Sequence, residues 1–304
     1  MSIKIKFTQE QLTQMKELYL SGLSTVQVAE KLELDKGVCR RAIQSQIQLR
    51  TVQETRRITM GVKFVRSNAF DILTPEAMYW IGFLYADGYI EKNAPVIGVT
   101  LSETDRGHVQ KFNEFLGGQL KVNDITQSLT RSLKGANVDS VSKMCRVKVA
   151  DTQLYNRLIS LGFTSNKTHV IVPHDLVKYS RDFYRGLVDG DGWVTFVKTK
   201  GDGHWVEGAK EYVYPRLGLC GNETTITSFL EFIKLSGIEC KSGLKKAPRE
   251  NALYSMDVTS KPAIQVMNLL YKDATVYLDR KYKKYLECIS LSSNFETQKE
   301  PYAS

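Results

Sequence analysis

Two nine-residue stretches of the chain share one pattern of apolar and polar positions. The first runs from Trp80 to Gly88 and the second from Tyr184 to Gly192. Both are mostly apolar and then end abruptly in Asp followed by Gly, with Gly at the third place and a small residue at the seventh. Two such copies, 104 residues apart, indicate an internal duplication.

Helical spacing places the small residues of each stretch on one face. Gly82 stands four residues before Ala86, and Gly186 stands four residues before Gly190. Small residues at this spacing allow two helix backbones to approach closely. We therefore expect two helices packed side by side through Gly82 and Gly186.

The acid at the eighth place of each stretch gives the pair its candidate chemistry. Asp87 and Asp191 should lie next to each other where both helices end. Two carboxylates repel each other, and a helix C-terminus is already negative. A divalent cation with oxygen ligands solves both problems. We predict Asp87 and Asp191 as its ligands, with the helix-end carbonyls of Ala86 and Gly190 as further ligands.

Similar alternation of helix and strand patterns follows each stretch. The hydrophobic periods predict the order αββαββα twice, which defines an α+β protein. In the first half, strands are expected at 120–125 and 144–149, separated by a polar loop. In the second half, strands are expected at 193–198, 212–219, 240–245 and 253–258.

Residues 1–49 predict three short helices in an order that resembles a helix-turn-helix DNA reader. The third helix opens at a candidate N-cap, Asp35. A small helical bundle that caps the main domain is the alternative. The polar residues expected on the outer, DNA-facing side of the third helix are Lys36, Arg40, Arg41 and Gln44.

Residues 50–73 form a basic connector that includes Arg56 and Arg57. We interpret it as lying along DNA phosphates, and a solvated linker is the alternative. The predicted domains are the module 1–49, the linker 50–73, a first repeat 74–175, a second repeat 176–290 and a tail 291–304.

The duplicated glycine, small residue, acid and glycine resemble the LAGLIDADG homing endonucleases in their single-chain, two-motif form. The resemblance covers about 74–290. The departures are Trp80 and Tyr184 where the family name has leucine, and Tyr85 where the second copy has Asp189; none touches the two acids. The resemblance implies two saddle-shaped antiparallel sheets around the paired central helices.

The resemblance also implies that strand side chains enter the major groove of duplex DNA. Exposed strand lysines are equally ordinary on any sheet. The candidate strand residues are Lys92, Arg146, Lys148, Lys198, Lys200 and Lys245. A tyrosine-spaced basic helix near the C-terminus adds Arg280 and Lys281 as candidate phosphate contacts, or a merely solvated face.

A basic residue beside each acid is a further expectation from the resemblance. Lys167 follows Asp87 by 80 residues, and Lys272 follows Asp191 by 81 residues. These matched offsets make Lys167 and Lys272 the candidate catalytic lysines, with ordinary exposed loop lysines as the alternative.

Composition agrees with a nucleic-acid partner. The 304 residues carry 42 Lys and Arg against 33 Asp and Glu, a formal net charge of +9, which favours a polyanion. No apolar run approaches the length of a membrane span. The five cysteines form no C-x-x-C pair and are expected to be reduced thiols, and no targeting signal is seen, so a cytoplasmic location is expected.

The sequence therefore predicts a monomeric, site-specific DNA endonuclease that uses Mg²⁺, with Mn²⁺ as a plausible substitute. By resemblance it would bind a long, pseudo-asymmetric double-stranded target, cut both strands across the minor groove to leave short 3′ overhangs, and mobilise its own coding element. The alternative is a non-cleaving DNA- or RNA-binding protein on the same scaffold, such as a transcription regulator or an intron maturase.

Overall fold

The computed structural model describes residues 7–51, 54, 65–133, 136–164, 172–200, 211–246 and 253–297. The chain divides into two compact units, and the boundary between them in the sequence falls between Val65 and Arg66. This division falls inside the predicted linker. Arg56, Arg57 and Lys167 lie outside the described residues.

The first unit contains the three predicted helices. They are α1 (Gln9–Leu20), α2 (Thr25–Lys31) and α3 (Lys36–Gln44). Asp35 caps α3 as expected, since its carboxylate accepts the Val38 N–H at 2.9 Å. The apolar faces meet in one small core, made of Met15, Tyr19, Val28, Ala29, Cys39, Ala42 and Ile43.

The first repeat of the second unit has the predicted αββαββα order. It begins with α4 (Pro75–Asp87), which Thr74 caps and which has proline in its first turn. The elements that follow are β1 (Gly88–Ile90), β2 (Val96–Ser102), a short 3-10 helix (Glu103–Asp105), α5 (Arg106–Phe115), β3 (Asn123–Leu133), β4 (Ala136–Ala150) and α6 (Thr152–Ser160).

The second repeat has the same order and adds one helix. Its elements are α7 (Arg181–Asp191), β5 (Gly192–Lys200), β6 (Glu211–Gly221), α8 (Glu223–Leu235), β7 (Lys245–Lys246), β8 (Tyr254–Thr259) and α9 (Ser260–Tyr271), followed by α10 (Asp279–Thr297). Each repeat forms one antiparallel sheet, with strand orders β1-β2-β4-β3 and β5-β6-β8-β7. The predicted α+β fold with tandem repeats is confirmed.

Two strand predictions need correction. The expected polar loop between 125 and 144 is mostly a long hairpin, in which β3 and β4 pair from Asn123 with Arg146 to Leu133 with Ala136. Conversely, the strand expected at 240–245 is reduced to Lys245 and Lys246 within the described residues.

Residues 66–73, predicted as linker, pack into the first repeat. The Arg66 N–H donates to the Leu116 carbonyl at 2.8 Å, and the Ser67 hydroxyl donates to Asp151 at 2.6 Å. Phe70 is buried. All five cysteines are free thiols. In the part of the chain that the structure describes, no helix is long and apolar enough to cross a membrane.

Candidate active site

The paired helices α4 and α7 form the centre of the second unit. Backbone atoms of α4 and α7 approach at the glycines. A Cβ atom added to Gly82 would stand 1.9 Å from the Phe183 carbonyl oxygen, and one added to Gly186 would stand 2.1 Å from the Tyr79 carbonyl oxygen. No side chain fits in that space. The predicted packing through Gly82 and Gly186 is therefore what the structure shows.

The same packing brings the two helix ends together. A Cβ added to Gly190 would stand 2.1 Å from the Cβ of Ala86 and 3.4 Å from Oδ2 of Asp87. Asp191 is the next residue after Gly190, so the acids of the two repeats end neighbouring helices at one junction. Asp87 is half-buried and Asp191 is exposed.

Each acid is followed by a glycine because the chain turns at once into a strand. Gly88 and Gly192 both have extended backbones and serve as helix C-caps. A Cβ on Gly88 would lie 2.6 Å from the Leu84 side chain, and one on Gly192 would lie 2.7 Å from the Gly218 carbonyl. Crowding, and not a left-handed backbone, explains the Asp-Gly ending.

Lys281, which was predicted from the sequence to contact DNA phosphates, lies beneath the C-terminal end of α7. Lys281 is 5% exposed. Its ammonium donates to the carbonyls of Val188 (2.6 Å), Asp189 (2.7 Å), Gly190 (3.3 Å) and Gly192 (2.6 Å). Burial removes Lys281 from the candidate phosphate contacts. It is the basic side chain that compensates the negative end of α7.

The ammonium group of Lys281 interacts electrostatically with the carboxylates of Asp87 and Asp191. Burial lowers the pKa of its ammonium to about 8, while the carboxylates of Asp189, Asp87 and Asp191 act in the opposite direction. All three acids are therefore close enough to act on it electrostatically. Sequence reasoning missed this role, although Lys281 lies on the buried stripe of α10 with Tyr285 and Cys288, three residues after the buried Leu278.

Lys272, the predicted catalytic lysine of the second repeat, lies elsewhere. Its carbonyl accepts a hydrogen bond from Arg181, the first residue of α7, at 3.4 Å. Asp191 ends that helix ten residues later, about 15 Å away along the axis. The structure thus places the Lys272 carbonyl near the start of α7, and the catalytic role of Lys272 stays a prediction.

A buried hydrogen-bond network surrounds Asp189, the acid two residues before Asp191. Its carboxylate accepts from the hydroxyls of Tyr79 and Tyr271 and from the Leu278 N–H, each at 2.7 Å. Burial raises the pKa of Asp189, although these donors oppose the shift. Tyr85 stands at the position of the first repeat that corresponds to Asp189. There the hydrogen-bond role is reversed, because the Tyr85 hydroxyl donates to the Leu161 carbonyl at 2.5 Å.

Oxygen atoms at the junction fit a hard divalent cation. Asp87 and Asp191 would supply the carboxylates of such a site, and Ala86 and Gly190 would supply carbonyls at the helix ends. The Gly190 carbonyl also accepts from Lys281, so an ion would share that oxygen with an ammonium group. Among the described residues, no group of three or more His, Cys, Asp or Glu side chains could hold a metal. The fit therefore depends on two carboxylates and main-chain oxygens.

The outer face of the first sheet carries Arg146 and Lys148. Both point away from the core residues Val147 and Val149, which alternate with them on β4. Lys148 pairs with Glu91 at 2.7 Å and lies over the Tyr89 ring. Lys92 is exposed in the turn between β1 and β2.

On the second sheet, the predicted DNA-contacting lysines do not all lie on the outer face. Lys245 lies on the outer face, 3.3 Å from Asp257. Lys198 shares the strand face of the buried Val194, which is the helix side, because strand side chains alternate. Lys198 therefore does not share the outer face with Lys245. The side chain of Lys200 lies outside the described part of the structure.

The remaining candidates are exposed. In α3, these are Lys36, Arg40, Arg41 and Gln44. Lys36 pairs with Glu30 at 3.2 Å. Arg280 is exposed on α10 and pairs with Asp105 at 3.1 Å.

Fold and junction together define a two-repeat α+β protein with one acid from each repeat at a shared helix interface. No family model matches the chain, and no curated protein sequence matches it. Similar solved structures include I-SmaMI bound to an uncleaved DNA target in the presence of calcium ions, at 13% identity and a TM-score of 0.48, covering 75% of this chain and 93% of that one. Another is the LAGLIDADG meganuclease I-AabMI bound to uncleaved DNA, at 11% identity and a TM-score of 0.47, covering 74% and 92%. A third is the LAGLIDADG homing endonuclease I-GzeII in complex with its DNA target, at 13% identity and a TM-score of 0.46, covering 75% and 92%.

Proposed function

We propose that this chain is a site-specific, divalent-metal-dependent DNA endonuclease. The observation that carries the proposal is the shared end of α4 and α7. Close contact at Gly82, Gly186 and Gly190 packs the two helices side by side, and it sets Asp87 beside Gly190, the residue that precedes Asp191. One acid from each repeat provides for one cut in each DNA strand.

Asp87 and Asp191 would hold the divalent ions, Mg²⁺ or Mn²⁺, with the Ala86 and Gly190 carbonyls as further oxygen ligands. When bound, the metal supplies a more acidic water and positive charge for the phosphate. Lys281 holds the end of α7 in place, because its ammonium bonds four consecutive or near-consecutive carbonyls there.

The outer faces of the sheets bind double-stranded DNA. Arg146 and Lys148 supply positive charge on the first sheet, and Arg216 and Lys245 supply it on the second. Exposed basic residues of α3 contact a further segment of the target. The chain acts as a monomer, because both repeats are in one polypeptide. It cuts across the minor groove to leave short 3′ overhangs, and so mobilises its own coding element.

Single substitutions at the two acids test the proposal. The substrate is a plasmid that carries a site selected by the wild-type protein from a randomised duplex library. In Mg²⁺, Asp87→Asn and Asp191→Asn should each lose cleavage of at least one strand, so nicked circles replace linear product. Binding in Ca²⁺ should stay within about threefold of wild type. Linear product at the wild-type rate from either variant would refute the metal site.

A non-cleaving DNA-binding protein on the same scaffold is the second candidate, and Lys281 is the observation that favours it. Its ammonium already compensates the end of α7 and contacts Gly190, a predicted ligand carbonyl. If this function is right, the wild-type protein will enrich a DNA sequence and yet leave it uncut in Mg²⁺ and Mn²⁺.

A further inference from the structure

An arginine on the outer face of the second sheet is held in a rigid setting. Arg216 lies on β6, paired with Thr195 of β5 and Thr259 of β8. Its Nε and one terminal nitrogen donate to the two oxygens of Asp257, at 2.8 and 2.9 Å. This bidentate contact fixes the plane of the guanidinium group.

Asp257 is in turn fixed by other neighbours. Its carboxylate accepts from the indole N–H of Trp193 at 3.1 Å and lies 3.3 Å from the Lys245 ammonium. Although burial alone would raise it, hydrogen bonds from Arg216 and Lys245 hold the pKa of Asp257 below its ordinary value. The carboxylate therefore stays ionised while two cations share it, and one positive charge remains in excess.

Trp193 forms the floor of this cluster. It is the residue directly after the Asp191-Gly192 ending, and its ring lies across Gly218, where a Cβ would stand 2.2 Å from a ring atom. The Arg216 guanidinium lies 5.7 Å from the ring centre. Thr195, the partner of Arg216, comes four positions after Asp191, so the arginine lies about 13 Å along the strand from the acid.

The N–H groups of Arg216 that do not bond to Asp257 indicate which ligand this side chain could bind. A guanidinium group has five N–H donors, and Asp257 takes two of them. The Arg216 side chain is 39% exposed. One N–H on each terminal nitrogen remains along the outer edge of the group. Such a parallel pair matches the O6 and N7 acceptors of guanine in the major groove, the commonest specific contact of arginine with DNA.

The first repeat has no matching pair. Gly88 pairs with Val99 and Gly192 pairs with Leu219, so Val96 stands where the second repeat has Arg216. By the same register, Lys148 stands where the second repeat has Asp257. The Arg216–Asp257 pair is therefore present in the second repeat alone. It predicts a base preference in the DNA half-site that the second repeat binds and none at the corresponding position of the other half-site.

We propose that Arg216 is a specificity-determining residue that reads one guanine in the half-site bound by the second repeat, and that Asp257 is its positioning residue. This inference rests on the proposed DNA-binding function. A phosphate contact is the competing role for Arg216. It would need no fixed plane and would carry no sequence preference.

Selection and binding assays separate these roles. The wild-type full-length protein is used to enrich duplexes from a randomised library, and dissociation constants are then measured in Ca²⁺ for the enriched duplex and all its single-base-pair variants. Wild type should prefer guanine at one position of one half-site by about tenfold to a hundredfold. Arg216→Ala and Arg216→Lys should both lose that preference, because lysine keeps the charge but not the fork.

Two further variants complete the test. Asp257→Asn keeps an acceptor for Trp193 but frees Arg216, so it should weaken the preference at the same base pair and no other. Lys198→Ala, an exposed strand lysine on the helix side, should retain the full preference. Thermal unfolding of each variant establishes that it is folded.

The inference is wrong if Arg216→Ala weakens binding equally on every duplex and Arg216→Lys restores it, which is the pattern of a phosphate contact. It is also wrong if the Arg216→Ala protein selects the same DNA sequence from the randomised library as the wild-type protein does. A wild-type protein that enriches no sequence overturns the proposed function and this inference together.

Discussion

Substitution of Gly186 by alanine tests the helix contact on which the candidate site depends. The added Cβ would stand 2.1 Å from the Tyr79 carbonyl oxygen and 2.6 Å from the Phe83 nitrogen. Carbon contacts are comfortable only from about 3.5 Å, so α4 and α7 would have to separate by roughly 1.4 Å. Both obstructing atoms belong to a buried backbone, which cannot rotate away as a side chain can.

The two energetic effects of this substitution oppose each other. Alanine favours a helix over glycine by about 1 kcal/mol. Overpacking typically costs about 1 to 3 kcal/mol and more where the backbone must move. We expect a net loss near 2 kcal/mol in the free energy of unfolding. For a unit of this size, that lowers the melting temperature by roughly 4 to 8 °C.

Activity should fall further than stability. A separation of the helices displaces Asp87 relative to Asp191, and misplacement by about 1 Å can cost a hundredfold in rate. The assays are urea unfolding and cleavage of a plasmid that carries a selected site. Gly107→Ala is the control, because it places the same methyl group in a helix, 4.0 Å from its nearest neighbour, Asp279. Wild-type stability and cleavage in Gly186→Ala would refute the close helix contact.

Three further predictions concern charge. Lys281→Met should lower the free energy of unfolding by roughly 3 kcal/mol, because buried carbonyls lose a charged donor, whereas Lys283→Met on the exposed face should change it little; urea titration measures both. Burial lowers the pKa of His108 to about 3, so stability should fall as pH drops from about 6.5 towards 3, by up to about 1.4 kcal/mol per pH unit, and His108→Leu should flatten that slope. Joint replacement of Arg40 and Arg41 by alanine should weaken DNA binding and reduce its salt dependence without removing cleavage; an unchanged salt slope would make the N-terminal unit a structural cap.

The sequence predicts the scaffold well because the scaffold depends on local patterns. The small residues spaced four apart, the Asp-Gly endings, and the repeated helix and strand periods each correspond to a feature of the structure. The β3–β4 hairpin was missed because Thr126 to Lys143 is a polar stretch without the apolar alternation that indicates a strand. Its pairing comes from continuation of a hydrogen-bond ladder that the apolar residues begin.

The positions of the basic residues do not follow from local patterns. Lys272 matched Lys167 in distance along the chain from its acid, but such a count does not tell which end of α7 the loop reaches. Lys281 resembled its exposed neighbours Arg280 and Lys283 in residue type. Only its position on the buried stripe of α10 distinguishes it, and that signal was present in the spacing of Leu278, Lys281 and Tyr285.

The reversed polarity at Asp189 and Tyr85 bears on how the two repeats descend from one ancestor. Asp189 takes a hydrogen bond from Tyr79 of the other repeat, and the residue that corresponds to Tyr79 in its own repeat is Phe183. A symmetric dimer of second repeats would thus bury each carboxylate against a phenyl ring with one donor fewer. Two copies of the second repeat therefore cannot reproduce the hydrogen bonds that the two unlike repeats make around Asp189.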